Sequence, residues 1–556
     1  MFVRIKTTPN SPKKAVQIVE SYREGNKVKQ RIVRHVGTAL TDAELQKLVE
    51  LAEYIKANIE DQSNAMLFAP EQMAEVAIEA FRKKREQKEL KVDLKKLRER
   101  QRIIVGIHEV YGQIYRELGF DKVITNPKRK PSVVKNLYHI VMGRLSNAAS
   151  KLSTVNDLSE NFGIKLSLPS VYKMMDAVDD KVIERIEEKA YNAVMSLFRR
   201  PIRVIFYDAT TVYFESFKED EIRQKGYSKD MKFNQTQVLL AVMVTDKGIP
   251  IGYQLYEGSK YEGKTLKDAI EKIQQRYNIE EITFVADSAI LSRANIEILE
   301  SLGKKYIIGA RIRNMTKDIK EQIINIESYE SINSSDGERY LVKEIPIGGG
   351  QRLIVTYSED RARKDARDRE ETIERLMKRL QSKEAKAESL ISNYGYKKYI
   401  KIKGGNEVEI DQDKIEEAKK WDGLHGVITN DKELAVEEII SQYKGLWQVE
   451  ETFRISKHDI KIRPIYHWTP RRIKAHIAIC FMALCCARHL GYRIAIEKGA
   501  MSTERIRQAL NSVQLSILED IGSKNLYGIP SVIKQDAKII YDAMGLRHSS
   551  VPFQIK

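Results

Sequence analysis

Three carboxylates carry the chemistry this sequence can do. Asp208 and Asp287 each close an apolar run, Val204-Ile205-Phe206-Tyr207-Asp208 and Thr283-Phe284-Val285-Ala286-Asp287, which reads as a buried strand with an acid at its carboxyl end. In open sheets that edge is where ligands bind. Two carboxylates on adjacent strands can hold a pair of divalent ions about 4 Å apart, an arrangement that activates a nucleophile and stabilises a leaving oxygen. One strand-terminal Asp more often only starts a turn. Two of them in one sheet favour the metal.

The third acid comes from a helix, and its face can be tested arithmetically. With Tyr443 at zero and 100° per residue, Trp447 falls at about +40°, Glu450 at about −20°, Arg454 at about +20° and Lys457 at about −40°. A stripe of Tyr, Trp, Glu, Arg and Lys is no core face, because burying two cations and a carboxylate without partners is costly. Metal ions, phosphates and bases are suitable partners. Glu451, at about +80°, competes with Glu450, which the spacing favours.

The elements that must position these residues follow from periodicity. After Pro201 the pattern reads strand (203–208), strand (237–244), hairpin turn Asp246-Lys247-Gly248, strand (249–256), helix (265–277), strand (282–287), helix (292–301) and strand (305–310). That is the element order of a ribonuclease H-like α/β core. Residues 311–422 interrupt it with short strand-like pieces, a Gly348-Gly349-Gly350 turn and one charged helix, and read as an insertion. The core resumes over 423–495 with the Glu450 helix, and 496–556 reads as a C-terminal helical tail. Residues 1–62 read as a three-stranded meander plus a helix, with turn signals at Asn10-Ser11-Pro12 and Gly25-Asn26. Residues 63–198 read as a helical, DNA-binding region; Arg82 to Arg102 is taken as the solvated face of a linker helix. Within it, Leu168 to Lys173 predicts a short helix capped by Ser170 that carries Tyr172 and Lys173 outward, where they could read a major groove. The fold class expected is therefore multidomain α+β: a ribonuclease H-like core with an insertion, between helical N-terminal and C-terminal regions.

Bulk properties agree with a polyanionic partner. The 556 residues imply several compact units, 42% hydrophobic and 31% charged residues describe a globular chain, and Lys plus Arg exceed Asp plus Glu by 95 to 78, a net charge of +17. Such an excess suits phosphates held by salt-sensitive counterion release. The three cysteines, Cys480, Cys485 and Cys486, lie in one apolar stretch without zinc spacing and read as core packing in a reducing cytoplasm. The longest apolar stretch, Ile477 to Ala487, falls short of the ~20 residues of a membrane span. No membrane association is expected.

A competing motif is present. Gly258-Ser259-Lys260-Tyr261-Glu262-Gly263-Lys264-Thr265 satisfies the P-loop pattern and, taken alone, indicates an ATPase. The strand before it, however, is the outer arm of a hairpin with Tyr253, Gln254 and Glu257, not the first buried parallel strand a P-loop needs. An ATPase would also leave the Glu450 stripe unused.

The run Tyr443-Lys444-Gly445-Leu446-Trp447-Gln448-Val449-Glu450, followed by Lys457, resembles the Y-(2)-R-(3)-E-(6)-K signature of bacterial insertion-sequence transposases of the DDE cut-and-paste type. The resemblance extends to Tyr207-Asp208-Ala209-Thr210, to Gly226-Tyr227-Ser228-Lys229-Asp230, to Val285-Ala286-Asp287-Ser288, and to a meander ending Arg34-His35-Val36-Gly37. It implies a DNA transposase in the bacterial cytoplasm, associated with the nucleoid, whose Asp208, Asp287 and Glu450 bind two Mg2+ or Mn2+ ions on a ribonuclease H-like core with a mostly β insertion between Asp287 and Glu450. It also implies contacts from Tyr443 and Lys457 to terminal phosphates, Trp447 holding a flipped base, and a homodimer acting on double-stranded element ends and target DNA. Leu446 stands where the signature has Arg; Arg454 or Lys444 are the cations at hand to replace it. A transposase-derived DNA-binding protein without catalysis is the remaining alternative, which three intact acids beside phosphates argue against.

Overall fold

The computed structural model describes residues 2–7, 14–24, 27–39, 45–46, 48–49, 51–53, 56, 92–125, 130–198, 202–215, 218–226, 234–260, 265–277, 282–288, 292–333, 339–381, 394–403 and 407–555. Its strands are β1 (Phe2–Thr7), β2 (Lys14–Glu24), β3 (Lys27–Ala39), β4 (Leu97–Ile104), β5 (Val204–Tyr213), β6 (Gln237–Thr245), β7 (Pro250–Glu257), β8 (Thr283–Ala286), β9 (Lys305–Gly309), β10 (Glu330–Asn333), β11 (Arg339–Ile347), β12 (Gln351–Tyr357), β13 (Ile400–Lys403), β14 (Glu407–Ile410), β15 (Leu424–Thr429), β16 (Gln514–Asp520), β17 (Leu526–Pro530) and β18 (Phe553–Ile555). Its helices are α1 (Gly106–Glu117), α2 (Pro131–Ser146), α3 (Lys151–Phe162), α4 (Leu168–Ala177), α5 (Asp180–Phe198), α6 (Leu266–Tyr277), α7 (Arg293–Ser301), α8 (Lys317–Ile324), α9 (Glu359–Gln381), α10 (Tyr394–Lys397), α11 (Gln412–Lys419), α12 (Val436–Lys444), α13 (Trp447–Arg454), α14 (Pro470–Lys498), α15 (Thr503–Asn511) and α16 (Gln535–Ala543). These elements form two compact units: Met1–Ile202, Phe206–Ile279 and Trp447–Lys556 make the first, and Arg203–Ile205 and Glu280–Leu446 the second. Both are α+β.

In the first unit the expected meander forms, in the order β1-β2-β3 and antiparallel throughout. Its turn signals at 10–12 and 25–26 lie outside the described residues. Helical residues Leu48, Leu51 and Ala52 are buried, and Gly37 leaves room for this packing: a Cβ there would meet Leu48 Cδ2 at 2.8 Å.

Two readings of this unit need correction. The basic run ending at Arg102 is no linker helix where it is described: Leu94–Lys96 makes a single 3-10 turn, Leu97–Ile104 is β4, paired antiparallel with β16, and residues 82–91 lie outside the described residues. On this strand Arg98, Arg100 and Arg102 are exposed, while Ile103 is fully buried. The C-terminal tail is likewise not purely helical. It supplies β16, β17 and β18 to a sheet of order β18-β17-β16-β4. A strand whose partner lies more than 400 residues away carries little local signal of pairing.

Helix α14 is the centre of this unit. Its middle, Ala475 to Ala487, is buried all round, and the helix packs against α1, α2, α4, α5, α16 and β7, with Cys480, Cys485 and Cys486 buried as expected. Its length and composition would suffice to cross a membrane, but 89% of its apolar window is buried inside the protein. The short helix at residue 168 is α4, and its N-cap is Ser167, not Ser170: the Ser167 hydroxyl accepts from Ser170 N at 3.3 Å. Pro169 then occupies the first turn, where its missing N–H costs nothing.

The second unit contains a sheet in the order β10-β11-β12-β15-β9-β8, with β8 and β9 parallel and the other pairs antiparallel. Residues 311–422 are not mostly β, and among the described residues only β13 and β14, an antiparallel pair, stand apart from the sheet of this unit. Strands β10 to β12 extend the sheet through β15, while α9, 23 residues long, and α11 make the segment as much helix as strand. Leu376, Tyr396, Tyr399, Ile400 and Ile415 give it a hydrophobic cluster of its own.

Candidate active site

Asp208 sits in the middle of β5. Ile205, Phe206 and Tyr207 are buried as the apolar run requires, but Ala209, Thr210, Thr211 and Val212 are buried too, so the strand continues to Tyr213 rather than ending at the acid. The half-buried carboxylate accepts from Ala209 N at 2.7 Å. Next to it, Tyr207 Oη donates to Thr265 Oγ1 at 2.6 Å and Tyr256 Oη to Thr265 O at 3.0 Å, which fastens β5 and β7 to the start of α6.

Those bonds also dispose of the P-loop pattern. Thr265, the residue that would meet a nucleotide-bound cation, is fully buried and its hydroxyl is engaged by Tyr207. Lys260 pairs with Asp268 at 2.8 Å, and β7 is the antiparallel partner of β6. Lys264 lies outside the described residues.

Glu450 is exposed on α13 together with Trp447 and Arg454, at spacings of three and four residues that share a face. The opposite face, Val449, Thr452 and Phe453, is buried, and the helix packs on β6, the strand beside β5. The β6-β7 turn clamps it. Arg488 Nε donates to Gly248 O at 2.7 Å and its Nη2 to Gln448 Oε1 at 2.8 Å, while Thr452 Oγ1 donates to Gly248 O at 3.3 Å. Gly248 adopts φ +69°, and a Cβ there would overlap Arg488.

The stripe is not one continuous helix. Helix α12 ends at Lys444 and α13 starts at Trp447, so the arithmetic that placed Tyr443 beside Glu450 spans a break; beyond Arg454, Ile455–Asp459 is a π-helical stretch that carries half-buried Lys457. Glu451 is accounted for by Arg454, whose guanidinium holds its carboxyl below the usual carboxylate range.

In the second unit Asp287 follows β8 directly, with Thr283 to Ala286 buried. Helix α12 packs on β8 and β9, and Gly309 makes room for Tyr443: a Cβ there would meet Tyr443 Oη at 2.5 Å and Ser288 N at 3.1 Å. The Tyr443 hydroxyl is thus beside the backbone that carries Asp287. Arg311 Nε donates to Ser288 O at 3.1 Å, and the His425 ring lies 5.1 Å from Tyr443, its pKa lowered to about 4 by burial and then by Arg361, so it is neutral. Periodicity gave no reason to single out Arg311 or His425, because neither lies on the stripe.

The substitutes for the missing signature Arg are already engaged. Leu446 is 8% exposed, Lys444 donates to Tyr340 Oη and lies over its ring at 4.1 Å, and Arg454 is paired with Glu451. Among the described residues no three His, Cys, Asp or Glu side chains are gathered into a metal-binding group.

Comparison with known proteins gives the family. The family model of the transposase DDE domain matches residues 199–486, and that of the IS1634 family transposase N-terminal domain matches residues 3–65. No curated protein matches the sequence. Among solved structures, the piggyBac transposase synaptic complex with hairpin DNA is similar at 10% identity over 73% of this chain and 76% of that one, with a TM-score of 0.37. The Mos1 transposase paired-end complex with left transposon end is similar at 13% identity over 29% and 54%, with a TM-score of 0.15. Since the DDE domain spans just over half of the sequence and an IS1634-type domain precedes it, the chain belongs to the DDE transposases of insertion sequences.

Proposed function

We propose that this transposase acts as a homodimer on double-stranded element ends and target DNA, with Asp208, Asp287 and Glu450 as its catalytic, metal-binding carboxylates on a ribonuclease H-like core. The observation that carries this reading is the setting of Glu450: an exposed acid on a short helix that Thr452 and Arg488 clamp to the β6-β7 turn at Gly248. A helix held so firmly presents its acid at a defined place, as a metal ligand requires.

Enzymes of this family use divalent metal ions. Carboxylate oxygens are hard donors that suit Mg2+ or Mn2+, so the chemistry of the donor set fits the group. Two such ions would activate the attacking water or 3′-hydroxyl and stabilise the leaving oxygen. The chain's own residues do the rest. Asp208 and Asp287 offer carboxylates from β5 and the end of β8, Trp447 presents an aromatic face to an unstacked base, and Tyr443, Lys457 and the part of the Arg454 guanidinium that Glu451 leaves exposed contact terminal phosphates. The excess of 17 positive charges supplies sequence-independent affinity for the duplex.

The test is purified protein with labelled element-end DNA, Mg2+ or Mn2+ and no ATP. Metal-dependent nicking is expected, with Asp208→Asn, Asp287→Asn and Glu450→Gln each binding the ends but failing to cut. Full cleavage by any one of the three removes that residue from the triad.

A further inference from the structure

We propose that Tyr466 and Trp468 form a second DNA-binding platform, which stacks unpaired bases of a DNA strand away from the cutting carboxylates. The proposal rests on the reading of the chain as an enzyme that processes DNA ends. Tyr466 and Trp468 are 58% and 61% exposed, while His467 between them is buried. Single exposed aromatics are ordinary, but two of them displayed on either side of a buried residue form a surface that folding does not require.

The backbone that carries them is fixed. Ile465 N donates to Tyr213 O at 3.3 Å and Ile465 bridges Phe214, so the segment is tied to the far end of β5. The His467 ring meets Tyr172 edge-on at 6.2 Å and lies 5.4 Å from His476. Thr469 then caps α14 by accepting from Arg472 N at 3.4 Å. Arg223 lies over the Trp468 ring at 5.5 Å, and is itself held by Asp220 at 2.6 Å. Side chains mounted on an ordered backbone lose little entropy when a base stacks on them.

The charge around the pair selects the ligand. From Ile460 to Lys474 the sequence has five Lys or Arg and no acid. Arg472 and Lys474 are paired with Asp176 and Asp180, whereas Lys461 and Arg471 are exposed. A cavity of about 340 Å³, lined by Leu168, Pro169, Tyr172, Lys173 and the Asp176–Arg472 pair, opens along α4. Aromatic faces interleaved with cations are the chemistry of single-stranded nucleic acid recognition, in which bases stack and phosphates are neutralised.

The platform is set apart from Asp208 by the length of β5, to whose far end it is tied. Tyr213 is five residues beyond Asp208, about 17 Å along an extended strand, a span of roughly five base steps at 3.4 Å each. The pair would therefore hold a strand some nucleotides away from the scissile phosphate.

The experiment measures binding of a single-stranded oligonucleotide and of duplex end DNA by wild type, Tyr466→Ala, Trp468→Ala and Trp468→Phe in the full chain. Each Ala variant is expected to lose about tenfold in single-strand affinity, as loss of one stacked base predicts, to keep duplex affinity within about twofold, and to melt like wild type. Trp468→Phe should retain most of the single-strand affinity. Unchanged single-strand binding by folded Ala variants overturns the proposal, and so does an equal loss on duplex and single strand, which marks a backbone contact. A dimer that falls apart on Trp468→Ala with no selective loss on single strands makes the pair an interface between copies instead. Wild type that neither binds nor cuts end DNA would defeat the functional reading; wild type that does both while the Ala variants match it defeats only the platform.

Discussion

The Arg454 guanidinium grips Glu451 with two hydrogen bonds of 2.6 Å, one to each carboxylate oxygen, and so separates two neighbouring glutamates into different roles. Glu451→Gln should leave nicking within a few-fold of wild type, because the pair is partly exposed and such pairs contribute about 1 kcal/mol or less. Glu450→Gln should abolish nicking at unchanged stability. A dead Glu451→Gln beside an active Glu450→Gln, in a nicking time course, would move the catalytic acid by one residue.

Leu446→Arg restores the family signature on paper, yet it should impair the protein. Leu446 is buried, and a guanidinium there has to be desolvated or to displace its neighbours, at a cost of about 2 kcal/mol or more. A urea titration should show the lower midpoint. Faster end processing at wild-type stability would show that the site lacked a cation.

Trp447→Ala should leave stability within about 0.5 kcal/mol of wild type, since the ring is 55% exposed. The first nick should survive while later products fall, because the aromatic face serves only the step with an unstacked base. Products resolved over time on labelled DNA decide it. A profile identical to wild type leaves Trp447 without a role in base handling.

Lys457→Ala should weaken end binding uniformly across sequences and reduce the slope of log affinity against log salt by about one unit if Lys457 contacts one phosphate. Binding isotherms at four or five salt concentrations give the slope. An unchanged slope assigns Lys457 to packing in the π-helical stretch.

Lys151 should make stability depend on pH. Its ammonium is fully buried, with His476 Nδ1 at 3.2 Å, and burial followed by Arg144 lowers its pKa to about 7, whereas the nearby Cys480 acts in the opposite sense. A Lys whose folded pKa lies below its unfolded value of 10.5 binds fewer protons when folded. Its contribution is therefore most favourable above pH 10.5, is lost as pH falls towards 7, and is flat below. Wild type should gain stability relative to Lys151→Met between pH 7 and 9 in denaturation experiments. Parallel pH profiles would show that Lys151 titrates normally.

The core elements were legible because their signals are local. The apolar runs of β5, β6, β7 and β8 and the Asp246-Lys247-Gly248 turn are each contained within a few consecutive residues. Two of the errors share a cause. Strand β4 pairs with β16, and β12 pairs with β15 across the whole of α9 to α11, so neither could be read from a window of sequence. The Glu450 stripe failed at Tyr443 for a different reason: uniform 100° steps were carried across Gly445 and Leu446, where the helix stops.

Strand β4 and helix α14 have a consequence for how the protein is made. The first 202 residues cannot complete their packing alone, because the partner of β4 lies at 514–520 and the helix that α1, α2, α4 and α5 surround lies at 470–498. During synthesis the N-terminal third must therefore wait, with apolar surface uncovered, until nearly the whole polypeptide has left the ribosome. A messenger broken, or a reading frame shifted, anywhere before residue 470 would yield a product without a completed first unit.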